Sequence, residues 1–156
     1  FNVKAVRTMP NTPSLVGEGM SAICSNERLR EEEVLEVERL FHTFGKTERL
    51  DERLMDAVPA LSGSSPAYVY MLIEAMADGG VKQGIPRDKS YRLAAQAVLG
   101  AAKMVLETGI HPGELKDNVC TPGGATIEAV AELEKRQFRG SVMAAMESCT
   151  EKVKSL

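Results

Sequence analysis

The sequence predicts a mainly α chain in which a short α/β segment precedes a long run of helices. Two observations carry this. Through about Leu50 the apolar residues come in brief strand-like runs around one amphipathic helix. From Glu52 onward they recur at helical spacing instead, broken at Ser62–Pro66, Gly84–Pro86, Gly109–Gly113 and Thr121–Gly124 by Gly- and Pro-rich punctuation. The shift divides the chain into segments 1–51 and 52–156. With 44% hydrophobic and 26% charged residues, the composition is that of an ordinary globular protein rather than a disordered one.

In the first segment, alternation over Phe1–Thr8 suggests a strand cut from something larger, since the chain opens without an initiator methionine. Met9–Pro13 is non-helical, because each proline pushes its predecessor toward extended backbone. Met20–Ser25 reads as a second strand and Lys46–Leu50 as a third. Between them Glu31–Phe44 is a helix, with Val34, Val37, Leu40, Phe41 and Phe44 on one stripe and Gly45 placed to stop it.

In the second segment, Pro66 stands at a helix start and Ala67–Gln83 carries Val69, Leu72, Ile73, Met76 and Ala77 at helical spacing. Gly79 and Gly80 are costly inside that helix, at about 1 kcal/mol each relative to alanine, so close packing of another backbone is expected there. Arg87–Thr108 is the longest helix, and Ala94, Ala95, Ala97, Gly100, Ala101 and Ala102 make much of its surface small. Its aliphatic residues are covered either by an oligomeric partner or by an ordinary core. The last helix is Arg139 to about Lys154.

Several functions are disfavoured. The 19 basic and 22 acidic residues form no basic stripe for nucleic acid or anionic lipid. Apolar runs stay below the roughly 20 residues that span a bilayer, and no secretory signal is recognisable. Three cysteines, Cys24, Cys120 and Cys149, lack a paired spacing, which suits a reducing cytoplasm. His42 and His111 have no ligand-spaced neighbours, so no metal site is expected. Cys120 has no His or Arg nearby in sequence to activate it and reads as a packing residue.

The organising stretch is Lys116–Glu134, K-D-N-V-C-T-P-G-G-A-T-I-E-A-V-A-E-L-E. Thr121 reads as an N-cap, Pro122 as the first helical residue, and Gly123 and Gly124 leave the backbone open to a guest. A helix start stripped of side chains seats an anion such as a carboxylate or phosphate. The alternative is a well-capped helix and nothing more. No G-x-G-x-x-G follows a strand; Gly17-Glu18-Gly19 is only a fragment of that motif.

The string from Pro112 through Leu115, Val119, Cys120, Thr121, Gly124, Thr126, Ala129, Val130, Leu133 and Glu134 closely resembles the signature of pyrroline-5-carboxylate reductases. So do M-P-N-T-P at Met9–Pro13, L-S-G-S-S-P-A-Y at Leu61–Tyr68, A-D-G-G-V-K at Ala77–Lys82 and A-A-Q-A-V-L-G-A-A-K-M at Ala94–Met104. Pro59 and Ala60 depart from the threonine or glycine common in the family, and Ser65 from a common glycine.

The resemblance implies that 1–51 holds the last strands and helix of a Rossmann-type domain and 52–156 a helical dimerisation and substrate-binding domain. It implies reduction of 1-pyrroline-5-carboxylate to L-proline with NADPH or NADH, the last step of proline biosynthesis, in a homodimer that can assemble into a decamer. The cofactor would be bound mainly by an N-terminal half not present here, so these residues alone are expected to be inactive. The substrate carboxylate would sit on free amides between Asn118 and Thr126 (Asn118, Val119, Cys120, Thr121, Pro122, Gly123, Gly124, Ala125 and Thr126), with the Thr126 hydroxyl serving the ring nitrogen as catalytic donor. Asn11, Glu52 and Asn118 would face the cofactor; Asn11 reads equally as a turn residue, and Ser62 and Ser64 as caps or cleft lining. A related β-hydroxyacid-dehydrogenase-like imine or carbonyl reductase, or a non-catalytic helical assembly module, stays open.

Overall fold

The computed structural model describes residues 3–155. The chain packs as two compact units: one runs through Tyr68 and takes in Met143 onward, the other is Val69–Val142.

The first unit is built on a three-stranded sheet of β1 (Val6–Met9), β2 (Gly19–Ser25) and β3 (Gly45–Arg49), with α1 (Glu31–Phe41) between β2 and β3. β2 is central. β1 runs antiparallel to it, Val6 opposite Ser25 and Met9 opposite Ala22. β3 runs parallel to it, Gly19 beside Gly45 and Ile23 beside Arg49. The inner strand therefore carries the buried residues, Ser21, Ala22 and Ile23. Met55 and Val58, from the 3-10 turn Glu52–Ala57 and the residue after it, complete a core with Ala22. This is why packing holds 52–68 with the sheet although composition changes at 51/52. The first strand, expected over Phe1–Thr8, starts at Val6; Phe1 and Asn2 lie outside the described residues.

The expected helix Glu31–Phe44 stops at Phe41, and Gly45 does not stop it. The chain turns at His42–Phe44, where the Thr43 hydroxyl donates to the Leu40 carbonyl at 2.7 Å, and Gly45 opens β3. Its lack of a side chain serves the sheet: a Cβ there would lie 2.0 Å from the Gly19 carbonyl oxygen. Leu40, expected on the apolar stripe, is 63% exposed. Its place on the inner face goes to Glu38, which accepts two hydrogen bonds from Arg49 at 2.7 and 2.8 Å and so ties α1 to β3. Arg49 in turn holds the Glu38 carboxyl below its ordinary range.

Glu33 is held more strongly, its pKa lowered from 4.5 to about 2 by the Lys4 ammonium first and then by the backbone N–H of Arg30. A carboxylate whose pKa falls on folding stabilises the native state fully above its unfolded value. That contribution is lost as pH falls through the folded value. Stability should therefore decline between about pH 4.5 and 2, and Glu33→Gln should flatten the decline in unfolding midpoints over that window. An unchanged slope would remove the Lys4 pair from the acid response.

A π-helical turn, Pro59–Gly63, leads into α2 (Ser65–Lys82), one residue before the expected Pro66 start. α6 (Phe138–Lys154) returns to the first unit, where Cys149 Sγ lies 3.4 Å from Ser64 Oγ. The Tyr68 phenol is pushed up by burial and by its hydrogen bond with Cys149.

In the second unit α3 (Arg87–Thr108) has the expected ends, and Gly109 follows it. α4 (Pro112–Val119) and α5 (Ala125–Lys135) complete it. α2 and α3 touch at small residues. A Cβ on Gly80 would come 2.8 Å from Ser90 Oγ, so the close neighbour expected there is a side chain rather than a backbone, and Gly79 has no neighbour. Of the small residues along α3 from Ala94 to Ala102, only Ala94 is buried. Among the described residues of Val69–Val142, Ala77, Ser90 and Ala94 are the only buried ones. Leu93, Leu99, Met104, Leu106, Val119, Leu133 and Val142 all remain in the open. A helical unit with no buried large side chain has no core of its own.

Candidate functional site

The α4–α5 junction forms around its prolines and glycines. His111 caps α4, its Nδ1 accepting from the Gly113 N–H at 3.0 Å, and Pro112 fills the first turn. α4 ends at Val119, and the Cys120 N–H returns to the Asp117 carbonyl at 2.9 Å. Thr121–Gly124 then closes a tight turn, the Gly124 N–H donating to the Thr121 carbonyl at 3.0 Å. Pro122 precedes Gly123 at φ +68°, the geometry that places proline and then glycine in the middle of a type II turn.

The expected Thr121 cap and Pro122 start are therefore corrected: the N-cap is Gly124 and the helix begins at Ala125. T-P-G-G suits either arrangement, and the positive φ at Gly123 decides for the turn. Gly124 makes no side-chain cap, and a Cβ on it would stand 2.3 Å from Thr121 Oγ1.

This narrows the amides open to an anion. Those of Asn118 and Val119 lie within α4, Pro122 has none, and those of Cys120 and Gly124 bond to the chain. Among the described residues the amides of Thr121, Gly123 and the first turn of α5, Ala125 to Ile127, find no acceptor. The α5 dipole adds to the attraction for negative charge. Residues Thr121–Gly123, Ala125 and Thr126 are exposed, while Cys120 and Gly124 are half-buried. The Thr126 hydroxyl has no hydrogen-bond partner among the described residues. Asn118 and Val119 face a separate apolar cleft of about 520 Å³ with Met104, Ile110 and Leu115. Lys116, the basic residue nearest the turn in sequence, is drawn to Asp117 at 2.5 Å, which raises its pKa.

Asn11 and Glu52 belong to the first unit and lie in different clefts. Asn11 lines a largely apolar cleft of about 790 Å³ with Met9, Thr12, Phe41, Phe44 and Gly63. Both ends of its amide are used within the chain: Oδ1 accepts from the Met20 N–H at 2.9 Å, and Nδ2 donates to the Ser62 carbonyl at 3.0 Å. Glu52 is exposed, pairs with Arg7, and borders a smaller cleft with Cys24 and Arg49. Arg7 also reaches Asp56 at 2.8 Å. The Ser62 hydroxyl donates to the Val58 carbonyl at 3.5 Å and the Ser64 hydroxyl meets Cys149, so among the described residues neither side chain accepts from a backbone N–H at a helix start. Phe41 and Phe44, whose rings meet at 5.2 Å, went unrecognised as cleft residues because a helical stripe explains them equally well. Among the described residues no three His, Cys, Asp or Glu side chains could hold a metal ion, and no helix is long and apolar enough to cross a membrane.

The chain thus combines a helical unit that buries no large side chain, a strand–helix–strand sheet, and an open turn at the start of α5. The comparisons make this specific. Residues 52–156 match the family described as pyrroline-5-carboxylate reductase dimerisation, and the chain belongs to the pyrroline-5-carboxylate reductase family. It is 53% identical over 153 residues to the pyrroline-5-carboxylate reductase of Escherichia coli, covering 98% of this chain and 57% of that protein. A Plasmodium falciparum pyrroline carboxylate reductase crystallised with NADP bound superposes with a TM-score of 0.90 at 40% identity, over 99% of this chain and 62% of the other. The Coxiella burnetii pyrroline-5-carboxylate reductase superposes at 0.93 with 32% identity, over 97% and 57%. The chain thus spans little more than half the length of these relatives.

Proposed function

We propose that this chain is part of an oxidoreductase that reduces 1-pyrroline-5-carboxylate to L-proline with NADPH or NADH, the last step of proline biosynthesis. The observation that carries the reading is the bare start of α5. There the family signature coincides with unbonded amides and an unpartnered Thr126 hydroxyl. In this reading the amides of Thr121, Gly123 and the first turn of α5 receive the substrate carboxylate. Asn118, Val119, Cys120, Pro122 and Gly124 shape the seat around it. Thr126 donates to the ring nitrogen, which makes the imine carbon more electrophilic; a neutral hydroxyl serves as an orienting donor or proton relay rather than a strong acid.

A bound nicotinamide nucleotide supplies the hydride. Its reactive end suits the cleft at Asn11, whose lining is largely apolar and whose floor at Gly63 has no side chain. Glu52 and Asn118 would border the cofactor elsewhere. Its phosphates would be held mainly by a dinucleotide-binding domain beyond these residues, a reading supported by the missing G-x-G-x-x-G. On the same proposal 1–51 completes that domain and 52–156 dimerises and binds substrate, the range the family match covers. Homodimers, open to assembly into decamers, cover the exposed helices. Three free cysteines suit a cytoplasmic setting, and nucleic acid and membranes are not partners.

The test is pyrroline-5-carboxylate-dependent oxidation of NADPH and NADH by the intact assembled enzyme. Thr126→Ala should lower kcat/KM by about a hundredfold, the scale of a lost proton donor, with little change in the unfolding midpoint, since the side chain is exposed. Unchanged kinetics would take Thr126 out of the chemistry, and a wild-type enzyme without turnover would sink the proposal.

A further inference from the structure

We infer that Asn11 is a positioning residue that fixes one wall of the cofactor cleft by tying two distant segments of the chain together. This rests on the proposed function for the identity of the guest, but the clamp itself stands on geometry. A carboxamide oxygen can accept twice and its amino group carries two N–H donors, so one bond at each end fixes the plane of the amide. In this chain the acceptor is taken by the Met20 N–H, in the residue after β2 opens, and the donor by the Ser62 carbonyl. Asn11 therefore joins the loop after β1 both to the central strand and to the π-helical turn Pro59–Gly63, across 9 and 51 residues of sequence. It is half-buried, as are both bonds.

A second observation places the same two segments against each other. A Cβ on Gly63 would lie 3.0 Å from the Met9 methyl group. The loop and the turn thus meet on both sides of Asn11, at Met9 against Gly63 and at the amide against Ser62, and all three of Met9, Asn11 and Gly63 line the 790 Å³ cleft. The turn closes with an i to i+5 bond, from the Ser64 N–H to the Pro59 carbonyl at 2.6 Å. Such turns are rare and frequently lie at functional sites. A wall assembled from two distant segments needs a tie, and the Asn11 amide supplies it.

The conservative variant separates the two bonds. In Asn11→Asp an oxygen still accepts from Met20, while the other oxygen faces the Ser62 carbonyl and repels it. Asn11→Ala loses both. In the intact enzyme, hydrogen exchange at the Ser64 amide should quicken in both variants, while the Met20 amide stays protected in Asn11→Asp and opens in Asn11→Ala. In both the KM for the nicotinamide nucleotide should rise on the order of tenfold, as misplacement of a positioning wall does, with the KM for pyrroline-5-carboxylate changing less than about twofold. Unchanged exchange at Ser64 overturns the clamp. A lowered melting temperature with an unmoved nucleotide KM overturns the positioning role and leaves a structural one. A wild-type enzyme without turnover would sink the functional reading and with it the positioning of a cofactor, while the exchange pattern still decides the clamp.

Discussion

Replacing Gly45 with alanine should cost the first unit its sheet. The added Cβ would sit 2.0 Å from the carbonyl oxygen of Gly19, 2.5 Å from its carbonyl carbon and 2.7 Å from its Cα. All three are backbone atoms of the neighbouring strand, so no rotamer change relieves the overlap. β2 and β3 would have to part at the point where Gly19 and Gly45 pair, next to the bond from the Gly19 N–H to the Phe44 carbonyl at 3.0 Å. Overpacking usually costs about 1–3 kcal/mol, and a backbone overlap belongs at or above the upper end. Against a total stability of roughly 5–15 kcal/mol, a cleared sheet or insoluble protein is the expected result. Gly19→Ala gives the internal comparison. Its first obstacle, 2.1 Å away, is the Ser14 hydroxyl, so Gly19→Ala with Ser14→Ala should recover much of the loss that Gly19→Ala shows alone. Urea unfolding at one fixed enzyme concentration reads the series, and a Gly45→Ala protein with a wild-type midpoint would disprove the close strand approach.

The same glycine marks where sequence reading stops. As a residue following an apolar helical stripe, Gly45 looks like a helix terminator; its real constraint comes from Gly19, on another strand, and no local pattern encodes that. Features whose causes are local were legible. The ends of α3 at Arg87 and Thr108 follow from Pro86 before it and Gly109 after it. The three strands and the helix between them were legible for the same reason, to within a few residues. The α4–α5 junction was half legible: T-P-G-G announces a break, yet only the backbone angle of Gly123 separates a turn from a cap. Leu40 and the alanines of α3 show the other limit. Periodicity identifies an apolar stripe without saying what covers it, and in this chain much of the α3 stripe is covered by nothing.

That uncovered surface sets the second large effect. Val69–Val142 buries only Ala77, Ser90 and Ala94 by itself, so its helices lack the tertiary burial that supplies most helical stability. Each large side chain moved from water into an interface contributes about 1.5–3 kcal/mol. Leu99 and Leu106, seven residues apart on one face of α3 and 53% and 85% exposed, are placed to be among them. The double variant Leu99→Glu, Leu106→Glu should therefore do more than weaken association: with the partner lost, α3 to α5 should lose helicity too. Sedimentation and circular dichroism followed together over a dilution series provide the measurement. In the wild type the unfolding midpoint should rise with concentration, as linkage requires when only the assembled form is folded. In the double variant dissociation and helix loss should coincide at concentrations where the wild type stays assembled. A variant that runs as a monomer with its full helical signal would mean that the helical unit holds together unaided, against what its burial allows.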